Sequence, residues 1–391
     1  MTGLRGSRPV VLLAGTFILV ALNLRPGISS LGALLPRIIA DLRLNPIEVS
    51  LLAMLPVLCF GIFGQRAVGC SRAWGLKRSI GLLLATLAIG LALRAIPSTL
   101  TLFAGTTIAG ATIGMISVLM PVVARLWFPQ RIGLMMGIYT MSLCIGAAAG
   151  SGLSEPLALI FAGKWPLALA IWVVPAVAAL LFWILRQDSF PPRQSSGTAG
   201  VALWRIPLAW QVTGFMAMQS SLAFVTFSWL PVMLQDRGIG AVEAGGITSL
   251  SLITQAASAL LVPTFAARHT SQSPWAIGIM GIVGLGYLGC IFAPHVAIVE
   301  SALLLGLGQG GSFALALTFI VLRSSTPQES AALSAMTQSL GSLIASAGPF
   351  IAGYLRDIDP SWRLCGGVLA AVACLAALLG AYAGRPKAIG H

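Results

Sequence analysis

Charged side chains are scarce throughout this sequence: Asp, Glu, Lys and Arg make up 8% of its 391 residues, whereas hydrophobic residues make up 57%. A soluble domain of this size with so little charge would expose large apolar patches to water. The composition therefore excludes a soluble protein and indicates an integral membrane protein.

Acids, histidines and cysteines are also few. The ten acidic residues lie in loops or near the ends of apolar segments, with only Glu48 and Glu155 close to membrane depth, and the three histidines lie in loops or at the C-terminus. The six cysteines lack the spacing of a metal site. The sequence therefore predicts no metal, no cofactor and no proton relay at the membrane midplane. A membrane enzyme would need a cluster of such residues at one depth, so we do not expect an enzyme.

The apolar segments themselves are long. They suit membrane-spanning helices of about 20 residues and are too long for the strands of an outer-membrane barrel, which need about 10. The predicted fold class is an all-α integral membrane protein with twelve transmembrane helices, here called spans 1 to 12. The predicted spans are 10–35, 46–66, 78–96, 100–124, 132–158, 166–186, 208–234, 244–266, 274–293, 297–322, 330–353 and 363–383.

Basic residues are distributed unequally between the two sets of loops. With the N-terminus inside, the inner loops and termini carry 15 Lys and Arg residues and the outer loops carry 7. Because cytoplasmic loops are enriched in these residues, both termini are predicted to be cytoplasmic, in a multi-pass protein of the inner (plasma) membrane. The net charge of +13 is then explained by insertion and by attraction to anionic lipid, so we expect no nucleic-acid partner. We expect a monomer.

The sequence repeats itself at an offset of about half its length. The first copies are Leu35, Pro36, Asp41 and Glu48, and the second copies, 195 residues later, are Leu230, Pro231, Asp236 and Glu243. Further along, Lys164-Trp165 and Ser361-Trp362 match at an offset of 197. Each match lies in the equivalent span, which indicates two duplicated six-helix halves. Because six is even, the halves are parallel repeats about an axis along the membrane normal.

The repeat gives the predicted domain organisation. Residues 1–186 form an N-terminal six-helix bundle and residues 207–391 form a C-terminal six-helix bundle. The cytoplasmic linker between them covers residues 187–206, where charged residues, prolines and a Ser-Ser-Gly run interrupt the apolar pattern.

Arg25 is the one basic residue that the sequence places in the middle of an apolar segment, within LNLRPGISS at residues 22–30. A charge at this depth costs roughly 3 kcal/mol, so a polar partner or an anion should meet it. Its planar fork of donors suits carboxylate, nitro and other planar anionic groups. The structural alternative is an arginine bonded to backbone carbonyls that Pro26 leaves exposed.

Twelve helices in parallel six-helix repeats resemble the major facilitator superfamily over the whole chain. In the loop between spans 2 and 3, the superfamily's glycines and basic residues are present but its acidic residue is absent. Four groups of residues carry a closer resemblance to the cyanate and 2-nitroimidazole transporter family. They are Asn23, Arg25 and Pro26 in span 1, RIPLAWQVT at 205–213, LTFIVLRSS at 317–325, and Ala335, Met336, Gln338, Ser339 and Gly341 in span 11.

This resemblance implies a substrate cavity near the midplane, lined mainly by spans 1, 4, 7 and 10, with help from 2, 5, 8 and 11. Polar residues in these spans are the candidates to line it. With Arg25, the candidate substrate-binding residues are Asn23, Ser29, Tyr139, Gln219, Ser220, Gln255, Gln309 and Gln338. The amides have an equal alternative as hydrogen bonds between helices. Tyr139 is a candidate for stacking on a flat substrate, with packing as its alternative.

Glu155 is the candidate coupling acid, because it is the acidic residue that comes closest to membrane depth within span 5. Its alternative is a helix cap or a surface salt bridge near Lys164. The resulting hypothesis is a secondary transporter that moves a small planar anionic or nitro-bearing molecule across the inner membrane by alternating access. The partners are then a small-molecule substrate, membrane lipid and, through Glu155, protons. The alternative functions are an exporter of neutral drugs or metabolites and a membrane receptor or scaffold without transport.

Overall fold

A computed structural model describes residues 7–185, 203–266 and 268–386. Most of the predicted linker, residues 187–202, lies outside the described residues. Within them the chain is helical and contains no strand. The helices are α1 Ser7–Leu22, α2 Pro26–Leu42, α3 Pro46–Gly64, α4 Arg66–Trp74, α5 Leu76–Leu93, α6 Thr99–Trp127, α7 Ile132–Ile160, α8 Trp165–Ala170, α9 Val173–Ile184, α10 Pro207–Asp236, α11 Ala241–Ala266, α12 Ser273–Phe292, α13 Ile298–Leu322, α14 Pro327–Ala345, α15 Ala347–Ile358 and α16 Arg363–Ala383.

Twelve spans account for fifteen of these sixteen helices, and α4 is a short helix between spans 2 and 3. In the described part of the chain, eleven stretches are long and apolar enough to cross a membrane, and α1 with α2 and α8 with α9 each count as one. The twelfth is span 11, which consists of α14 and α15 on either side of Ser346. Span 11 is less apolar because α14 carries Glu329 in its first turn and contains several Ser, Thr and Gln residues. The predicted all-α fold is confirmed.

The first span is broken where it carries Arg25. Pro26 has no N–H group and cannot donate to the carbonyl of Leu22, so α1 ends there and α2 begins at Pro26. In the break, the backbone N–H of Asn23 donates to the carbonyl of Val20 at 3.1 Å, which is a tighter turn than that of an α-helix. Arg25 itself is the N-cap residue of α2, with φ −119° and ψ −31°. Arg25 therefore lies in the break between the two helices.

The duplicated residues form the same hydrogen bond in each half. The indole Nε1 of Trp165 donates to Asp41 Oδ2 at 2.8 Å, and that of Trp362 donates to Asp236 Oδ2 at 2.9 Å. Each bond joins the end of the first span of its half to the start of the sixth. The offsets of 195 and 197 residues seen in the sequence thus correspond to equivalent positions in space. Parallel six-helix repeats explain both.

Glycines bring the backbones of the two halves into close contact at one end of the bundle. This end contains the part of α2 that runs from Arg25 to the loop at 43–45. A Cβ atom at Gly32 of α2 would collide with the carbonyl oxygen of Phe227 in α10, and one at Gly245 of α11 would lie 2.7 Å from the carbonyl oxygen of Ser151. Only glycine permits such backbone approach. We call the end of the bundle that contains Gly32 and Gly245 the closed end.

Candidate functional site

A cavity lies between the two halves, next to the break in the first span. The empty space in it, open solvent included, is about 490 Å³. Its lining consists of Arg25, then Thr140, Leu143 and Cys144 of α7, Gln219, Ser220, Ala223, Phe224 and Phe227 of α10, Gln255 and Ala259 of α11, and Gly310 and Phe313 of α13.

Arg25 is surrounded by aromatic rings rather than by acids. Its guanidinium carbon lies 5.2 Å from the ring centroid of Phe227, 5.3 Å from that of Phe224 and 6.0 Å from that of Phe60. Its Nη1 atom is buried and finds no hydrogen-bond partner among the described residues. The rings offset part of the cost of desolvating the charge, but they accept no N–H bond of ordinary strength. A residue of the cavity lining therefore keeps a donor without a partner among the described residues.

These three phenylalanines were not among the residues predicted from the sequence. Phe60 belongs to the N-terminal half and Phe224 to the C-terminal half, and their rings meet edge to face with centroids 5.9 Å apart. One signal was present: Phe224 and Phe227 lie four and seven residues after Ser220, and such spacing puts residues on one face of a helix. The aromatic group around Arg25 therefore belongs to both halves.

Gln219 brings an amide to the cavity from the opposite half. Its side chain is 1% exposed, and its Nε2 donates to Ser220 Oγ at 2.7 Å and to the Met216 carbonyl at 3.3 Å. Its Oε1 is buried and has no hydrogen-bond partner in the described part of the chain. Ser220 lines the cavity beside it.

Cys144 and Gln255 form a second polar pair in the cavity lining. The thiol of Cys144 in α7 donates to Gln255 Oε1 in α11 at 3.5 Å, so this weak bond also links the two halves. The neighbouring Thr140 hydroxyl donates to the carbonyl of Met136 in its own helix at 3.1 Å. Of the polar residues proposed from sequence, Arg25, Gln219, Ser220 and Gln255 therefore come together around one cavity.

Asn23 and Ser29 lie beside the cavity lining rather than in it. The Nδ2 of Asn23 donates to the Leu19 carbonyl at 2.7 Å and to the Pro175 carbonyl of α9 at 3.1 Å, which ties span 1 to span 6. The hydroxyl of Ser29 donates to the carbonyl of Arg25 at 3.3 Å. Both side chains therefore support the break that carries Arg25.

Two more of the proposed residues are placed in helix packing. The Tyr139 ring is buried, with its centroid 5.9 Å from that of Phe17. Gln338 is half-buried, and its Nε2 donates to Ser334 Oγ one turn earlier in α14 at 2.8 Å. Neither side chain is part of the cavity lining.

Gln309 belongs to a hydrogen-bond network inside the C-terminal half. Its Nε2 donates to Thr226 Oγ1 at 2.6 Å, and the Tyr287 hydroxyl is 2.7 Å from the same oxygen. The network joins α10, α12 and α13. Gln309 is not part of the lining of the cavity. This geometry is that of an amide that joins helices.

Arg94 is a buried arginine, although the charge pattern assigned it to an outer loop. It is 0% exposed at the end of α5. Its Nη1 donates to the Gly27 carbonyl at 2.6 Å, and its Nε and Nη2 lie 3.3 and 3.2 Å from Thr106 Oγ1. Buried arginines are therefore not confined to the middle of an apolar segment, where the sequence placed only Arg25. Because Gly27 is in the first turn of α2, Arg94 holds the backbone next to Arg25.

Glu155 is buried in α7 with 1% of its surface exposed. Arg37 of α2 is its partner, with Arg37 Nε donating to Glu155 Oε1 at 2.7 Å and Nη2 contacting the same oxygen. The other carboxylate oxygen, Oε2, has no hydrogen-bond partner in the described ranges. The ion pair that the sequence suggested with Lys164 is therefore made with Arg37 instead.

Comparison with known proteins identifies the family. Residues 13–349 match the family model described as Major Facilitator Superfamily. The chain is 34% identical to the 2-nitroimidazole transporter of Escherichia coli (strain K12), covering 99% of each chain. It is 35% identical to the uncharacterized transporter YycB of Bacillus subtilis (strain 168), covering 95% of this chain and 93% of that protein. It is 29% identical to the cyanate transport protein CynX of Escherichia coli, covering 89% of this chain and 90% of that protein.

Solved structures agree on the fold. The crystal structure of a D-xylose-proton symporter superposes with a TM-score of 0.77 and covers 96% of both chains, at 13% sequence identity. At that identity the likeness concerns the fold alone. The resemblance derived from the sequence motifs is confirmed by the family match and by these relatives. This multi-pass membrane protein belongs to the Major Facilitator Superfamily of transporters.

Proposed function

We propose that this protein moves a small planar anionic or nitro-bearing molecule across the inner membrane by alternating access. The observation that carries the proposal is the unpartnered Nη1 donor of Arg25 beside a cavity between the two halves. The names of two relatives, a 2-nitroimidazole transporter and a cyanate transport protein, support the same substrate classes.

The surroundings of Arg25 favour a substrate that brings its own negative charge or electron-rich oxygens. Neither ion pair of the described residues involves Arg25. A carboxylate next to the guanidinium would compete with an anionic substrate, whereas the phenyl rings of Phe224 and Phe227 do not. The same rings offer flat apolar surface to a planar molecule.

Alternating access follows from where the cavity lies. Arg25 belongs to the N-terminal half and Gln219 to the C-terminal half, so a substrate that contacts both would draw the halves together. The excess of basic residues in the inner loops supports cytoplasmic termini. In that orientation, the closed end formed by Gly32 and Gly245 faces outward. Rocking of the halves would open that end and close the other.

We propose that transport is facilitated diffusion without proton coupling, and Glu155 is the candidate coupling acid for the alternative. Glu155 lies outside the cavity lining, and its partner Arg37 belongs to the same half.

Two measurements on the wild-type protein test the proposal. In a thermal-shift screen of small anions and nitroheterocycles, a ligand at 100 times its dissociation constant should add about 2.7 kcal/mol of stability. Flux of the most strongly stabilising ligand into proteoliposomes then distinguishes a transporter from a receptor that only binds it. Binding without flux would favour a receptor or scaffold, and stabilisation only by neutral compounds would favour the exporter of neutral molecules.

A further inference from the structure

Two side-chain atoms of the cavity lining are buried and lack a hydrogen-bond partner among the described residues. One is a donor, Nη1 of Arg25, and the other is an acceptor, Oε1 of Gln219. Two neighbouring acceptors already have partners: Gln255 Oε1 accepts from Cys144, and Ser220 Oγ accepts from Gln219. The cavity lining thus contains a buried donor and a buried acceptor without partners among the described residues, and they come from opposite halves.

The orientation of the Gln219 amide is fixed by its surroundings. The carbonyl oxygen of Met216, 3.3 Å from Nε2, can only accept a hydrogen bond, so the NH₂ group must face it. The Ser220 hydroxyl accepts from the same NH₂ group and points its own hydrogen toward the sulfur of Met216, at 3.7 Å. Exchanging the amide oxygen and nitrogen would set two acceptors against each other. Oε1 therefore faces away from Met216 and can be satisfied only by a donor.

We propose that Gln219 is a specificity residue that selects substrates carrying an N–H or O–H donor in addition to the acceptor that meets Arg25. A buried acceptor without a partner is unfavourable, and a substrate donor removes that cost. The selected class is a flat ring with an anionic or nitro group and a ring N–H or hydroxyl. An ion such as cyanate has acceptors only and leaves Gln219 unsatisfied. The inference rests on the proposed function and narrows its substrate class.

Three ligands test this selection in the purified full-length protein. 2-Nitroimidazole has both the acceptor and an N–H donor, 1-methyl-2-nitroimidazole has lost the donor, and 4-methyl-2-nitroimidazole has the same added bulk but keeps a donor. Dissociation constants are measured by titration calorimetry for the wild type, Gln219→Met and Arg25→Ala. Methionine preserves the length of the side chain and removes the amide.

The wild type should bind the 1-methyl compound about tenfold more weakly than the 4-methyl compound. In Gln219→Met the two methylated compounds should bind within about twofold of each other, because no acceptor is left to satisfy. Arg25→Ala should weaken all three compounds while preserving the preference for the N–H form.

Equal binding of the two methylated compounds by the wild type, or a preference that persists in Gln219→Met, would overturn the role of Gln219 and leave the role of Arg25 intact. A complete absence of binding by all three, and by 4-hydroxybenzoate as a carboxylate with a donor, would overturn the proposed substrate class and this inference with it. Normal folding of each variant is checked by its thermal unfolding profile.

Discussion

The guanidinium carbon of Arg25 lies 5.2 Å from the ring centroid of Phe227, across the boundary between the N-terminal and C-terminal halves. Phe227 also contributes the carbonyl oxygen against which Gly32 packs. Phe227 of α10 therefore contacts both the charged side chain of the cavity and a glycine of the closed end. Separation of the halves at this end would remove both contacts together, which links substrate binding at Arg25 to the position of α10.

Replacing Phe227 by leucine should weaken this link. The variant keeps an apolar side chain but loses the ring that faces Arg25, so the folded state should lose about 1 kcal/mol. Differential scanning fluorimetry should show a lower Tm than for the wild type. Phe265→Leu is the control, because Phe265 also lies over an arginine, Arg268, but is exposed. An equal effect of the two substitutions would argue against a special contact at Arg25.

Gly32→Val should prevent the closed end from closing. A side chain at Gly32 would meet the backbone of Phe227 and Ser228, and backbone cannot move aside as a flexible side chain can. In a cysteine-free background, a cysteine at Ser30, which is 0% exposed, should react faster with a membrane-impermeant thiol reagent once Gly32 is valine.

Gly281→Val is the matched control, because a Cβ atom there meets no atom within 4 Å. Labelling at the opposite end of the bundle should fall in Gly32→Val as labelling at Ser30 rises. A rise at both ends together would indicate a channel instead of alternating access.

Thr106→Val should destabilise the protein through Arg94. The hydroxyl of Thr106 accepts from Nε and Nη2 of Arg94, which is 0% exposed, so its removal leaves charged donors unsatisfied. The expected loss is about 1–3 kcal/mol in the free energy of unfolding. The adjacent Thr107→Val removes a hydroxyl that bonds only the Phe103 carbonyl of its own helix, at 2.8 Å, and should change the Tm little. Similar Tm values for the two variants would contradict a supporting role for Arg94.

Glu155→Gln tests energy coupling. If transport is facilitated diffusion, Glu155→Gln should preserve exchange and downhill flux. An imposed pH gradient should then drive no accumulation of substrate by the wild type or by the variant. Flux is measured in proteoliposomes with and without the gradient, and Arg37→Gln serves as the partner variant of the same ion pair. Gradient-driven accumulation in the wild type that disappears in Glu155→Gln would instead assign the proton to Glu155.

The fold could be predicted from the sequence because its causes are local. The length of each apolar segment defines a span, and the recurrence of Asp41 and Trp165 as Asp236 and Trp362 defines the repeat. The break at Pro26 also follows from a missing N–H group. Span 11 is the least apolar, because α14 carries Glu329 and several Ser, Thr and Gln residues.

The cavity was predictable in part. A charge or an amide in an apolar segment stands out, so Arg25, Gln219 and Gln255 were found. Phe224 and Phe227 resemble any other apolar residue of a span, and only the packed structure shows that they face a guanidinium. Arg94 follows the last residue of α5, where a basic residue ordinarily reaches toward the membrane surface; its burial depends on the position of Thr106 in the next helix.

The most direct test of the account is substrate flux in proteoliposomes containing Arg25→Lys. Lysine keeps the charge but replaces a planar fork with a point ammonium, so it cannot reproduce two parallel hydrogen bonds to a planar group. Flux and binding should both fall by about tenfold or more, given the usual strength of such charged bonds, while Arg66→Lys, an exposed arginine of α4, should retain them. Undiminished flux and binding in Arg25→Lys and Arg25→Ala, with normal folding, would contradict the account and remove Arg25 from the substrate site.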